Sequence, residues 1–413
     1  MKLRYIKRRQ VHRLDNPSLQ AAGHAAASAR ESSSKIRIVY LTDKLAFGGT
    51  PLQIVELALH LERERFEPHC VILSAIEPSL VDRLHQRGIG VDCIGRAHWI
   101  DPRAVSSFAR LYLLLKKLRP DIIHAFLPTS NVLAAITGAL FGKPVTISSH
   151  RDLGGFDGKG ITTFNDWLDQ RVVDCVTANS EAVRRSVSVR SGLAESAVRV
   201  IYNGIDLERI KAALPQRECM RREFGLKAEA TVIAVIANLK PAKGHHLVVE
   251  AFSQLVAEFP DAMLLVCGYA ADATYAARLE ESVATSGIAP QVKFLGSRQD
   301  IPAILSAIDV LVSPSDSEGF SNTILEAMAA RKAIIATDVG GNREQITDQV
   351  DGLLVPAGDV SAMMAALRSL LKSPGLRQQL GQAASHRASR DFSVQRMASE
   401  HEQLYMELLE RTH

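Results

Sequence analysis

Two glutamates, Glu318 and Glu326, frame the segment Ser317-Glu318-Gly319-Phe320-Ser321-Asn322-Thr323-Ile324-Leu325-Glu326-Ala327-Met328-Ala329. The apolar stretch before it, Val310-Leu311-Val312-Ser313-Pro314, predicts a strand. The polar run Ser321, Asn322 and Thr323 predicts the start of a helix. A strand that gives way to a helix through a polar turn gathers free N–H groups and a positive dipole end at one point. Such a point suits phosphate. The flanking carboxylates suit a hydroxyl-rich group such as a ribose or another sugar. A sugar-nucleotide site is the reading these residue types favour. Glu326 also has a structural reading. Thr323-Ile324-Leu325-Glu326 matches a capping box, in which the carboxylate serves only the helix start. Glu318 stands in the preceding loop, where its bland alternative is an exposed acid.

Other candidates follow predicted strands. Gly48-Gly49 comes after the first, and two glycines let backbone N–H groups approach an anionic oxygen without Cβ obstruction. An ordinary turn is the alternative. Lys240-Pro241-Ala242-Lys243-Gly244 follows a strand that ends near Asn238. A cation there can meet a diphosphate, or stand in solvent as a loop lysine. His124 and His150 each end a predicted strand, and at neighbouring carboxyl ends both would face a cleft. A single histidine is more often structural. No GxGxxG or GxxxxGK[ST] motif occurs. No HExxH or DxD occurs either, so no metal is expected.

The elements that must position these residues alternate. Ile36–Leu41 reads as a buried strand, 52–63 as a helix, His69–Leu73 as a strand, and the cycle repeats through 201. A turn at Asn203-Gly204 precedes a second series of six strands. Short apolar strands separated by helices indicate an α/β fold with two parallel sheets. The expected units are a basic tail over 1–34, an N-terminal Rossmann-like domain over 35–205 and a C-terminal one over 206–392. A final helix over 393–413 is expected to pack back on the first domain. Ligands of such sheets bind beyond the carboxyl ends of the strands, where these candidates fall.

Composition narrows the function. A chain of 413 residues with 46% hydrophobic and 23% charged residues is a soluble, multidomain globular protein. The net charge of +4 owes most to Lys2, Arg4, Lys7, Arg8, Arg9 and Arg13. The body is close to neutral and only 5% of residues are aromatic, so nucleic acid is not an expected partner. The tail reads as disordered. Contact with anionic lipid, or an organellar address, is its alternative. Five scattered cysteines without a CxxC pair suit a reducing, cytoplasmic setting, peripheral to the membrane if the tail binds lipid.

Taken together, these segments resemble the retaining glycosyltransferases of family 4, which have the GT-B fold. Glu318 to Glu326 is similar to that family's E-x7-E motif, with its Gly-Phe and Leu-Glu-Ala-Met surroundings. Gly48-Gly49 resembles its glycine loop. Ala178-Asn179-Ser180, Asn203-Gly204-Ile205-Asp206, Lys243-Gly244 and Thr337-Asp338-Val339-Gly340-Gly341 with Glu344 match further segments in order, over about residues 35–395. The resemblance implies transfer of a sugar from a nucleotide-sugar donor to a sugar or lipid-linked acceptor, without cofactor or metal, in surface polysaccharide or glycolipid synthesis. It implies that Glu326 binds the ribose. Glu318 would lie by the donor sugar, and Lys243 would steady the diphosphate together with Gly48, Gly49, Phe320, Ser321, Asn322 and Thr323. His150 would orient the sugar or the acceptor. His124 and Arg151, with the loop to Asp166, would serve the acceptor. The chain departs from the family at Asn238, where an arginine usually helps the lysine hold the diphosphate. Lys240 is the candidate substitute. A nucleotide-sugar 2-epimerase and a non-catalytic sugar-nucleotide binder are the alternatives.

Overall fold

The computed structural model describes residues 35–46, 48–95, 103–141, 144–154 and 159–412. The tail at 1–34 and part of the glycine-rich loop after His150 lie outside them. Strands β1 (Ile36–Thr42), β2 (Phe66–Ile72), β3 (Gly90–Cys93), β4 (Ile122–Phe126), β5 (Val145–His150), β6 (Cys175–Ala178) and β7 (Val198–Val200) form one sheet. Its order is β3-β2-β1-β4-β5-β6-β7. Strands β8 (Val232–Ile236), β9 (Met263–Cys267), β10 (Val292–Gly296), β11 (Val310–Ser313), β12 (Ala333–Thr337) and β13 (Leu353–Val355) form a second. Its order is β10-β9-β8-β11-β12-β13. The paired strands of both sheets are parallel.

The strands read as unbroken apolar runs because helices cover both faces. All five residues of β8, Val-Ile-Ala-Val-Ile, are buried. Ile233 and Val235 enter the core on one face, with Val248, Phe252 and Leu367. Val232, Ala234 and Ile236 enter the core on the other, with Ile324, Leu325 and Met328. Burying one such side chain stabilises the fold by about 1.5–3 kcal/mol. The helix Asn322–Ala329 is thereby fixed on the second sheet, with its N-terminus at the carboxyl end of β11.

Each sheet begins at its middle strand, grows to one edge, then resumes on the other side. The reversal falls between β1 and β4 and between β8 and β11. Loops leave such a switch point in opposite directions and open a crevice. The two crevices face each other across a shared cleft lined from both domains.

The last helix, Val394–Thr412, crosses back to the first sheet. Val394, Met397, Ala398, Leu404, Tyr405 and Leu408 pack in one core with Ile38, Tyr40 and Ile54. The Tyr405 hydroxyl meets that of Tyr40 at 3.2 Å. Among the described residues no helix is long and apolar enough to cross a membrane.

Candidate functional site

The cleft between the domains has a volume of about 1030 Å³. Gly48, Gly49 and Arg151 line it from the first domain. Asn238, Lys240, Lys243, Glu318, Phe320, Ser321, Asn322, Thr323 and Glu326 line it from the second.

Lys243 ends a tight turn, Pro241–Lys243, closed by Gly244 at φ 63°. A Cβ on Gly244 would lie 2.0 Å from the Pro314 carbonyl oxygen, so only glycine lets this turn press on the end of β11. The contact aims Lys243 at the neighbouring loop, where its ammonium pairs with the Glu318 carboxylate. Ser315 Oγ donates to the same carboxylate at 2.7 Å. Beside it, Lys240 is held below the ordinary lysine range by burial and then by the charge of Lys243. Its ammonium is therefore more willing than usual to give up its proton, and an anion in the cleft would reverse that.

The motif loop is pinned from two sides. A Cβ on Gly319 would come within 2.5 Å of the Arg151 carbonyl oxygen, across the domain boundary. Gly341 N–H donates to the Glu318 carbonyl at 3.0 Å. Gln345 accepts from the Ser321 amide and donates to the Ser321 carbonyl, both at 2.8 Å. The sequence reading counted the Ser321 amide among the free donors, and Gln345 takes it. The amides of Asn322 and Thr323, in the first turn, keep the orphan geometry of a helix start.

Ser321 caps the helix, its hydroxyl accepting from the Ile324 amide. Glu326 therefore stands two residues beyond the position a capping glutamate occupies, and the capping-box reading is corrected. Its carboxylate is buried, with Arg209 at 3.6 Å. Burial pushes it up to about 7, with Arg209 opposing the shift and Glu56 adding to it. Arg209 also lies 3.8 Å from Glu56, which pairs with Arg83 at 2.9 Å. A carboxylate this short of partners suits a site that later receives hydroxyl donors.

Asn322 ties the domains together. Its Nδ2 donates to the Gly49 carbonyl at 2.9 Å. Its Oδ1 accepts from Asn203 at 2.8 Å and from Gln53 at 3.3 Å. Asn203 in turn accepts from Arg151 at 2.6 Å. Burial lowers Arg151 to about 10, and its guanidinium lies 5.4 Å from the centre of the Phe126 ring. The Gly48-Gly49 turn is thus held against the motif helix.

Two family models match the chain in tandem. Glycosyltransferase Family 4 covers residues 47–209, and Glycosyl transferases group 1 covers residues 216–387. The chain belongs to the glycosyltransferases of the family 4 type. It is 26% identical over 279 residues to an Escherichia coli UDP-Gal:alpha-D-GlcNAc-diphosphoundecaprenol alpha-1,3-galactosyltransferase, covering 64% of this chain and 69% of that protein. It is 24% identical over 321 residues to the capsular polysaccharide biosynthesis glycosyltransferase CapM of Staphylococcus aureus, covering 75% and 82%. Among solved structures, Anabaena HepE in complex with UDP-glucose superposes with a TM-score of 0.79. Identity there is 23%, over 89% of this chain and 99% of that one. The fold is GT-B.

The structure does not bring either histidine of this glycosyltransferase to the main cleft. His124 is the third residue of β4, not its last, and is fully buried. Its ring meets the Tyr405 hydroxyl at 2.8 Å and Ser149 Oγ at 2.7 Å. Burial, then His401 and Arg151, hold it well below the ordinary histidine range. It is a neutral core residue under the C-terminal helix, and its expected place facing the cleft is corrected. His150 is buried beside a separate cavity of about 20 Å³, which Arg151 and Asp152 also line. Asp169 lies 2.7 Å from its Nε2, and Arg190 lies 3.3 Å from its Nδ1. With both nitrogens engaged, His150 is placed to support the Arg151 wall. The expected Arg151 to Asp166 loop is shorter, because a helix starts at Lys159.

Among the described residues, two groups of side chains cluster closely enough to hold a cation. Of His150, Asp166 and Asp169, the first two meet the Arg190 guanidinium, which pairs with Asp166 at 2.7 Å and already supplies positive charge. In Glu56, His60 and Asp206, the glutamate is committed to Arg83. Sequence reasoning missed Arg209, Glu56, Gln345, Asn203 and Gln53. Only Asn203 lay in a segment singled out at all, as a turn and as part of one that resembles the family. The rest carry no local signal, because their partners are far away in the chain.

Proposed function

We propose that this glycosyltransferase moves a sugar from a nucleoside diphosphate donor to an acceptor hydroxyl with retained anomeric configuration. Acceptors of surface polysaccharide or glycolipid synthesis fit best, since the E. coli galactosyltransferase is named for a diphosphoundecaprenol-linked acceptor and CapM for capsular polysaccharide biosynthesis. The carrying observation is the convergence of Lys243, Glu318, Glu326 and the motif helix start in one cleft.

In this reading Glu326 accepts from the ribose hydroxyls. The diphosphate lies against the Asn322 and Thr323 amides, Lys243 and Lys240, with Gly48-Gly49 above. Lys243 must then leave Glu318, and the arriving phosphate replaces the carboxylate as its partner. The released Glu318 turns to the donor sugar, where it accepts from hydroxyls or faces positive charge. Breaking the glycosidic bond leaves negative charge on the diphosphate and an oxocarbenium-like sugar. Preorganised donors and cations lower that barrier most. Facing that positive charge, Glu318 is better read as electrostatic support than as a covalent nucleophile. A donor phosphate oxygen is left to take the acceptor proton on the same face. Arg151 and the loop after it form the acceptor wall. The reading requires no cofactor, because lysines and backbone amides supply the positive field.

Incubation with UDP-, GDP- and ADP-sugars and a panel of glycoside and lipid-diphosphate acceptors tests it. Proton NMR of the product should give the donor's anomeric configuration. An inverted product refutes retention, and donor epimerisation without acceptor would favour the 2-epimerase.

A further inference from the structure

We infer that Arg209 is a positioning residue for the donor nucleoside: suspended between Glu326 and Glu56, it keeps the Glu326 carboxylate charged yet free to accept from the ribose hydroxyls. This role depends on the reading that places the ribose at Glu326. Arg209 stands on the helix Leu207–Ala213, which Ile210 anchors in the core of the second domain with Ile324 and Leu325. Asp206 caps that helix and accepts from the Arg209 amide at 3.1 Å. The side chain lines the cleft, as does Glu326. It also reaches across the domain boundary toward Glu56, on the helix Gly49–His60.

An arginine beside a buried carboxylate ordinarily closes on it. Elsewhere in this chain Arg221 meets Asp309 at 2.8 Å and Arg387 meets Asp351 at 3.0 Å. Arg209 stands off from both of its acids, at 3.6 Å from Glu326 and 3.8 Å from Glu56, beyond hydrogen-bond reach. Its Nε is buried and makes no hydrogen bond, and neither does Glu56 Oε2. Arg83 holds the other Glu56 oxygen at 2.9 Å, which fixes the counter-charge that draws Arg209 back. Two carboxylates thus share one guanidinium, and neither captures it. The Glu326 oxygens stay open to hydroxyl donors while a positive charge stands close. Without that charge, burial and the like charge of Glu56 would both favour the protonated acid. A protonated acid offers one good acceptor oxygen where two hydroxyls need two. The other elements packed on the motif helix bring no charge to it. The helix Ile301–Ala307 contributes Ala303 and Ile304, Pro374–Asp391 contributes Ala384 and Ala388, and β11 and β12 carry no ionisable side chain. His60 and Asp206 are the other titratable groups beside Glu56.

Calorimetric titration of the full-length chain with UDP, GDP and ADP, each against its 2′,3′-dideoxy form, tests the assignment with whichever base the wild type binds. The phosphates are common to each pair, so the ratio of the two affinities isolates the ribose contact. With the free Glu326 carboxyl held at about 7, the wild-type ratio should rise with pH and level off above that point. Arg209→Leu should move the levelling point up by about one to three pH units. At pH 7 that lowers the ratio by about fivefold or more. Arg209→Lys, which keeps the charge, should recover part of the loss. Glu56→Gln lets Arg209 close on Glu326 and should move the levelling point down while lowering the plateau. A merely loosened site would not shift in opposite directions from its two sides. Equal loss of both nucleotide forms at every pH in Arg209→Leu overturns the inference, and so does a shift of the same sign in both variants. Glu326→Gln separates this failure from that of the parent reading. If it collapses the ratio while Arg209→Leu leaves the ratio intact, only the role of Arg209 falls. If the ratio and its pH dependence survive Glu326→Gln, or if no nucleotide binds, the ribose is not at Glu326 and both fall.

Discussion

Replacing Glu326 with glutamine probes the least ordinary group in the cleft. Unfolded, this carboxyl titrates near 4.5; folded, burial pushes it up to about 7. The native chain therefore holds a proton through that window which the unfolded chain releases. The resulting stability is complete below pH 4.5 and is lost as pH rises through 7. At 1.36 kcal/mol per unit, the whole window is worth about 3 kcal/mol. Water in the open cleft makes that an upper figure. Glutamine cannot ionise, so Glu326→Gln lacks this loss. Its melting temperature relative to wild type should rise between pH 5 and pH 8, by up to roughly 6–12 °C for a domain of this size. Scanning calorimetry of both proteins across that range, without nucleotide, gives the answer. A constant offset would refute the reasoning, and so would a variant that loses ground as pH rises.

Three further outcomes are expected. Lys243→Ala should lower kcat by about 10²–10³-fold, in line with loss of one stabiliser of a developing anion, and unchanged single-turnover rates would remove it from the diphosphate site. Gly319→Ala brings a Cβ within 2.5 Å of the Arg151 carbonyl and should prise the domains apart; small-angle scattering should show a larger radius of gyration, and an unchanged curve counts against that contact as a fixed hinge stop. Tyr405→Phe removes the hydroxyl that binds His124 and Tyr40 and should destabilise the N-terminal domain by about 1–2 kcal/mol, read by urea unfolding; a stable variant would mean that the helix docks through its apolar face alone.

The two-sheet architecture was legible because parallel strands buried on both faces leave continuous apolar runs, as in β8 and β11. Edges moved by up to three residues. The run taken as His69–Leu73 is Phe66–Ile72, for example, because Pro68 at the β1 edge still fits the parallel register. The motif loop and Lys243 were legible from residue type after a strand. His124 was not. Its strand runs on to Phe126, and the helix that roofs it arrives 281 residues later. The helix cap was ambiguous because Ser321 and Thr323 have equal local claims. Gln345 settles it from 24 residues away by taking the Ser321 amide and carbonyl. Arg209 likewise reaches Glu326 only through the fold.

Thermal shift with a panel of UDP-, GDP- and ADP-sugars tests the nucleotide cleft most directly, because a ligand that binds only the folded state raises its melting temperature. One nucleotide class should stabilise the wild-type protein, less so Glu326→Ala, and least the double variant with Lys243→Ala. Stabilisation by no nucleotide sugar, or by one that ignores both substitutions, would place the donor elsewhere.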